Sequence, residues 1–165
     1  MDEHEDQVLH PNREKPESKS TKAIVTLLLL VSAGLILVIT LGGWTKLQGA
    51  ETVTIFYVAV YLLFAFFVSR WNRGVLPVVA ALCVLLIIFA AISGPPWFER
   101  DKVGFEQPAL PESLLGLLTL LLIPVQFLLI TFSLRGFGQA WNVEAGSREY
   151  IEAQRRAAAK AEPRT

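Results

Sequence analysis

Four long stretches without an acidic or basic side chain constrain this chain more than any other feature. They cover residues 23–45, 52–69, 74–98 and 113–134. A helix needs about 20 mostly apolar residues to cross a hydrocarbon layer roughly 30 Å thick. Each stretch reaches or nearly reaches that length, and we predict membrane spans over residues 23–41, 53–69, 75–93 and 114–134.

The alternative is that these stretches are buried helices of a soluble bundle. Such helices carry a polar face that recurs with the helical period. No polar face is present in TLLLLVSAGLILVITL or in VLPVVAALCVLLIIFAAI. The first stretch also exceeds the apolar region of a cleaved signal peptide, and it follows a long acid-rich tail. The sequence therefore predicts an all-α integral membrane protein built as a four-transmembrane-helix bundle.

The charged residues gather outside the predicted spans. Residues 1–22 contain ten charged side chains and two prolines. Because this segment has too little apolar surface to fold by itself, we predict a disordered charged tail. In the tail over 135–165, Ser147 begins a segment of good helix formers in which Arg148, Glu152 and Arg156 are spaced four apart. This pattern predicts a short helix over about 147–161.

The distribution of lysine and arginine predicts the orientation. An even number of spans places both termini on one side of the membrane, and basic residues favour the cytoplasmic side. The terminal side carries Arg13, Lys15, Lys19, Lys22, Arg70, Arg73, Arg135 and Arg148. The other side carries only Lys46, Arg100 and Lys102. We therefore predict a multi-pass protein of the cell membrane with cytoplasmic N- and C-termini.

All four tryptophans lie just beyond the predicted spans. An indole combines an apolar body with one N–H donor, so tryptophan favours the level of the lipid headgroups. Trp44 and Trp97 are predicted to lie at the outer interface, and Trp71 and Trp141 at the inner one.

Several kinds of chemistry lack the residues that they need. Metal and haem sites use histidine, cysteine or clustered carboxylates, but the only histidines are His4 and His10 in the charged tail, and the only cysteine is Cys83. There is no glycine-rich phosphate loop and no GxSxG motif, and no ionisable residue that could mark an ion path lies inside a span. The formal net charge of zero argues against a nucleic-acid partner. We expect no cofactor and no enzymatic activity.

The connection GPPWFERDKVGFEQPALPE, residues 94–112, concentrates four acids, two bases, four prolines and three aromatic residues. The residue before a proline avoids the helical region and proline lacks an N–H, so the third span is predicted to end before Pro95. Most such charge clusters are solvated connections. The mixture of aromatic and charged residues also suits a loop that docks a partner protein. The residues of this hypothesis are Trp97, Phe98, Arg100, Asp101 and Phe105.

Four mildly polar residues fall near the middle of their own spans: Ser32, Tyr61, Cys83 and Gln126. Spans two and four run in the same direction, so Tyr61 and Gln126 should lie at similar depth. A carboxamide in hydrocarbon needs a partner, and such groups commonly join helices. The alternative is a midplane pocket beside Pro124, which removes one hydrogen bond of its helix.

Three short segments resemble two groups of known proteins. GGWTKLQG, which follows the first span, resembles a turn of haem A synthase. That family holds haem with intramembrane histidines, and this chain has none, so no haem is expected. GPPWF and RGFGQAWNVE, together with the four-span core over 23–144, resemble uncharacterised small four-span membrane proteins of actinobacterial type. This resemblance implies a bacterial cell membrane and no particular activity.

These observations favour a non-enzymatic accessory or scaffold component that binds another membrane protein. The alternative is a small oligomeric channel or transporter for a neutral or apolar compound. A membrane enzyme using Glu99, Asp101 and Glu106 is a third hypothesis, but no nucleophile with a neighbouring base accompanies these carboxylates. The expected partners are the lipid bilayer and either another membrane protein or a second copy of the chain.

Overall fold

The computed structural model describes residues 12–13, 15–47, 49–99 and 108–141, together with Glu152, Arg155 and Arg156. Over these residues the chain is all-α and contains no strand. The four long helices are α1 (Pro16–Gly42), α2 (Glu51–Ser69), α3 (Leu76–Glu99) and α4 (Glu112–Gly138). Each is long and apolar enough to cross a membrane. The predicted four-transmembrane-helix bundle is confirmed.

The helices pack in an open order. Helix α1 packs against α2 and α4, and α4 packs against α3, whereas α2 and α3 make few close backbone contacts. We call the end where α1 begins and α4 ends the terminal end. The opposite end, where residues 43–50 join α1 to α2, is the distal end. One hydrophobic cluster fills the centre, and the outward faces carry large exposed apolar side chains, as contact with lipid requires.

Helix α1 begins earlier than its predicted span. Residues 16–22 are helical, so the prediction of disorder over 1–22 is wrong for this part. Pro16 occupies the start of the helix, where its missing N–H costs nothing. The residue that follows α4 contacts this part of α1, because Gln139 Nε2 donates to Thr21 Oγ1 at 3.0 Å. Residues 1–11 lie outside the described residues.

The predicted helix over 147–161 falls mostly outside the described residues. Glu152, Arg155 and Arg156 are helical. Arg156 and Glu152 form the expected pair four residues apart, with an N–O distance of 3.8 Å.

Helix α3 does not end before Pro95, and this prediction is wrong. The helix continues through Pro95 and Pro96 to Glu99. Two missing N–H groups near a helix end remove two hydrogen bonds, and tertiary packing outweighs that loss here. Trp97 is only 3% exposed, and it packs so closely on Gly43 that an added Cβ there would lie 2.6 Å from the indole.

Two of the tryptophans predicted for the interfaces are buried within the ends of the bundle: Trp97 at the distal end and Trp141 at the terminal end. Trp141 is fully buried and meets Trp71 edge-on, with 5.5 Å between ring centroids. Its Nε1 donates to Gln139 Oε1 at 3.0 Å, and Lys22 Nζ lies 4.0 Å from the Trp71 ring centroid. Buried tryptophan rings therefore fill the space between the helices at both ends of the bundle. Trp44 stays 47% exposed, as predicted for an interfacial residue.

Candidate binding cavity beside a midplane polar cluster

One polar residue from each helix meets at the middle of the bundle. The Tyr61 hydroxyl donates to Gln126 Oε1 at 2.9 Å, and Gln126 Nε2 donates to Ser32 Oγ at 2.9 Å. The Tyr61 oxygen lies 3.6 Å from Cys83 Sγ. All four side chains are fully buried. The structure thus brings together the four residues that the sequence places near the middle of their spans, and we call them the midplane cluster.

The chemistry of glutamine explains why it lies at the centre of the midplane cluster. A carboxamide both donates and accepts, so Gln126 can accept from α2 while it donates to α1. The side chains of the midplane cluster are uncharged. The two hydrogen bonds of Gln126 join α4 directly to α1 and to α2. Pro124 lies on the exposed side of α4, which passes through it without ending. The arrangement joins α1, α2 and α4 through buried hydrogen bonds.

A cavity of about 360 Å³ lies on the distal side of this cluster. Its walls come mainly from α2, with Val53 and Tyr57, and from α3, with Phe89, Ala90 and Trp97. The volume falls within the roughly 300–1,000 Å³ range of small-molecule sites. It lies between α2 and α3 in the distal half, where the Tyr57 and Phe89 rings meet edge-on with 6.3 Å between their centroids.

The cavity reaches the outer surface of the bundle. Val53 on α2 and Phe89 and Ile92 on α3 all line it, and all three are also exposed on the outside. These residues form a rim between the distal halves of α2 and α3. The cavity therefore opens on the outward face of the bundle.

Most hydroxyl groups in the cavity wall are engaged within their own helix. Thr54 Oγ1 donates to Glu51 O at 3.0 Å, Ser93 Oγ to Phe89 O at 2.7 Å, and Thr119 Oγ1 to Leu115 O at 2.7 Å. Tyr57 differs from these three residues. It lines the cavity and is only 5% exposed, and its hydroxyl forms no hydrogen bond with any described residue.

One ion pair borders the distal part of the cavity. Lys46 lines the cavity, and its Nζ lies 3.7 Å from Glu112 Oε1. The two side chains are only 10% and 13% exposed, so each charge needs the other. Glu112 Oε2 is buried and has no hydrogen-bond partner among the described residues. Among the described residues that line the cavity, Lys46 is the charged one, and Glu112 compensates its charge.

Sequence reasoning missed the cavity residues Tyr57, Phe89, Ala90, Lys46 and its partner Glu112. One signal was available for Tyr57, since it lies four residues before Tyr61 and so shares its helix face. Nothing in the local pattern could reveal the pairing of Lys46 with Glu112, because the two residues are far apart in the sequence.

Of the five residues of the proposed docking loop, the structure describes Trp97 and Phe98. Trp97 is buried in the cavity wall, and Phe98, which is 49% exposed, lays its ring against Gly116. Arg100, Asp101 and Phe105 lie outside the described residues. Across the described part of the chain, no three His, Cys, Asp or Glu side chains are grouped as a metal ion would require.

Fold and site together define a four-helix transmembrane protein with a closed polar midplane and an apolar side cavity. Comparison with protein-family models, with curated proteins and with solved structures finds no match to this chain. The geometry of the cavity and of the midplane cluster therefore carries the functional conclusion.

Proposed function

We propose that this chain is a non-enzymatic membrane protein that binds a hydrophobic compound from the bilayer in its distal cavity. The observation that carries the proposal is the rim of Val53, Phe89 and Ile92, which both lines the cavity and faces outward. A compound dissolved in the membrane can enter sideways between α2 and α3 without crossing water.

The lining supports a neutral ligand over a charged one. Most of the wall is apolar, and its one lysine is paired with Glu112. An ion brought into this space would lose its hydration without gaining a free counter-charge, which is costly. A transporter for a neutral or apolar compound would also need an apolar site of this kind. In this bundle, however, the hydrogen-bonded side chains of the midplane cluster fill the centre. Binding is therefore better supported than conduction.

A matched pair of substitutions on α3 tests the proposal. Ala90 is buried in the cavity wall, whereas its neighbour Ala91 is exposed on the lipid-facing side. Leucine at position 90 fills part of the cavity, and leucine at position 91 extends into lipid. The protein is purified in mild detergent, and its bound hydrophobic compounds are identified by native mass spectrometry.

We expect a bound compound on the wild type and on Ala91→Leu, and its loss from Ala90→Leu. A wild type that carries no compound, or a compound that both variants retain, would contradict the proposal.

The orientation forms part of the proposal. We infer that both termini lie in the cytoplasm of a bacterial cell, which puts the distal cavity in the outer half of the membrane. The excess of basic residues around the terminal end supports this assignment. Green fluorescent protein fused after Thr165 should fluoresce, and alkaline phosphatase fused at the same place should be inactive. Active phosphatase there would reverse the orientation.

A second candidate is an accessory component that binds another membrane protein at the distal end. Trp44 and Phe98 favour it, since both are about half exposed there. In a native mass measurement this candidate predicts a discrete heteromer that Phe98→Ala disrupts and Ala91→Leu preserves. A monomer or a homo-oligomer in every sample would count against it.

A further inference from the structure

The hydroxyl of Tyr57 is the group in the cavity that points to a ligand. Its ring is held by edge-on contacts with Tyr61 and Phe89, at centroid distances of 5.8 and 6.3 Å. A phenylalanine would make the same ring contacts, so the hydroxyl is not needed for packing. A polar group that faces apolar surroundings without a hydrogen bond is unfavourable. This hydroxyl is therefore placed to donate to a group that enters the cavity.

The charge of the wall restricts what that group can be. Lys46 and Glu112 neutralise each other, and the other polar side chains of the wall bond to their own helices. Among the described residues of the wall, a carboxylate or phosphate headgroup would find no uncompensated positive charge. An uncharged acceptor such as a carbonyl oxygen suits a phenolic donor in an apolar space.

The shape of the wall restricts the ligand further. Tyr57, Phe89 and Trp97 line the cavity with aromatic rings, which pack well against another planar ring. An apolar cavity of about 150 Å³ holds one benzene ring. At about 360 Å³, this cavity has room for a two-ring headgroup. The exposed rim between α2 and α3 leaves a path for a hydrocarbon tail.

We infer that the cavity binds the ring of a neutral lipid quinone. In this arrangement a quinone carbonyl accepts the hydrogen bond of Tyr57, and the isoprenoid tail leaves between α2 and α3 into the bilayer. The inference rests on the proposed function and adds the chemical class of the ligand. It concerns binding and includes no oxidation or reduction step.

The test uses the full chain in nanodiscs of zwitterionic phosphatidylcholine. The probe is a naphthoquinone that carries a short isoprenoid tail, and binding is followed by quenching of tryptophan fluorescence, since Trp97 lies in the cavity wall. We expect saturable quenching in the wild type. Loss of one neutral hydrogen bond in Tyr57→Phe should weaken binding about three- to tenfold. Tyr61→Phe is the matched control, because its hydroxyl is engaged outside the cavity, and it should bind like the wild type.

Two competitors and the cavity-filling variant separate the outcomes. Equal binding by the wild type and Tyr57→Phe overturns the role of the hydroxyl. If a long-chain fatty acid anion or a diacylglycerol displaces the quinone at equal concentration, the proposed ligand class is overturned. In that case, loss of binding in Ala90→Leu still supports the cavity as the binding site. Quenching that Ala90→Leu leaves unchanged overturns both the inference and the proposed function.

Discussion

Tyr57 and Tyr61 lie one turn apart on the same face of α2, and their surroundings differ completely. Tyr61 donates to Gln126 and contacts Cys83, whereas the Tyr57 hydroxyl has no partner among the described residues and borders a cavity. Both are buried. The two positions are about 6 Å apart along the helix axis. At one of them the tyrosine joins helices, and at the other its hydroxyl is available to a ligand.

The packing at the two ends explains the difference. At the terminal end, residues 70–75 join α2 directly to α3, and Trp71 and Trp141 close the bundle. At the distal end, Trp97 and Phe98 of α3 contact Gly43 and Gly116, on the side of α1 and α4. The side chains of α2 and α3 meet at the midplane, where Tyr61 contacts Cys83, and the cavity lies on the distal side of that contact.

The largest expected effect comes from a substitution that tests how tightly the terminal end is packed. Replacing the fully buried Trp141 by alanine removes a large packed ring and should lower the free energy of unfolding by about 3–5 kcal/mol. The measurement is unfolding by SDS titration in mixed micelles. Trp44→Ala is the control, since Trp44 is about half exposed, and it should change stability far less. Equal losses in the two variants would contradict the closed terminal end.

The next effect concerns the midplane cluster. Gln126→Leu keeps the size of the side chain but removes two interhelical hydrogen bonds, which in membranes average about 0.6 kcal/mol and reach about 1.7 kcal/mol each. The expected loss in unfolding free energy is about 1–3 kcal/mol. The same SDS titration measures it. Stability equal to the wild type would show that the cluster does not hold the helices together.

A pair of alanines distinguishes the packed region from the cavity. Ala65 is buried outside the cavity, and Ala90 is buried in its wall. Adding a leucine side chain to a well-packed core costs about 1–3 kcal/mol, so Ala65→Leu should be destabilised by that amount. Ala90→Leu has free volume to enter and should lose less than about 1 kcal/mol. If Ala90→Leu proved the less stable variant, the distal half would be as tightly packed as the rest.

The smallest effect sharpens the comparison of the two tyrosines. Tyr61→Phe removes a hydrogen-bonded hydroxyl and should lower stability by about 0.6–1.7 kcal/mol. Tyr57→Phe removes a hydroxyl without a described partner and should leave the unfolding free energy unchanged or slightly higher in ligand-free micelles. Thermal unfolding of the two variants side by side measures the difference. A larger loss of unfolding free energy in Tyr57→Phe than in Tyr61→Phe would show that the Tyr57 hydroxyl makes a stabilising hydrogen bond, which would contradict the comparison.

Much of the fold could be predicted because the bilayer imposes strict local requirements. Runs of apolar residues about 20 long must be helices, since every backbone group in hydrocarbon needs an internal partner. The same logic placed Ser32, Tyr61, Cys83 and Gln126 near one depth, because depth follows from counting residues along each span. Predictions from local rules were wrong at Pro95 and Pro96, where Trp97 packs on Gly43 and keeps α3 helical.

The sequence by itself determined that the chain forms four long apolar helices that can cross a membrane. These properties depend on composition and on position along the chain, and both can be read without distances. Only the tertiary structure decided that Lys46 meets Glu112, that Trp97 faces inward, and that α2 and α3 separate around a cavity. The physical reason is that a space between helices depends on how side chains from several helices fit together. No single segment encodes that fit.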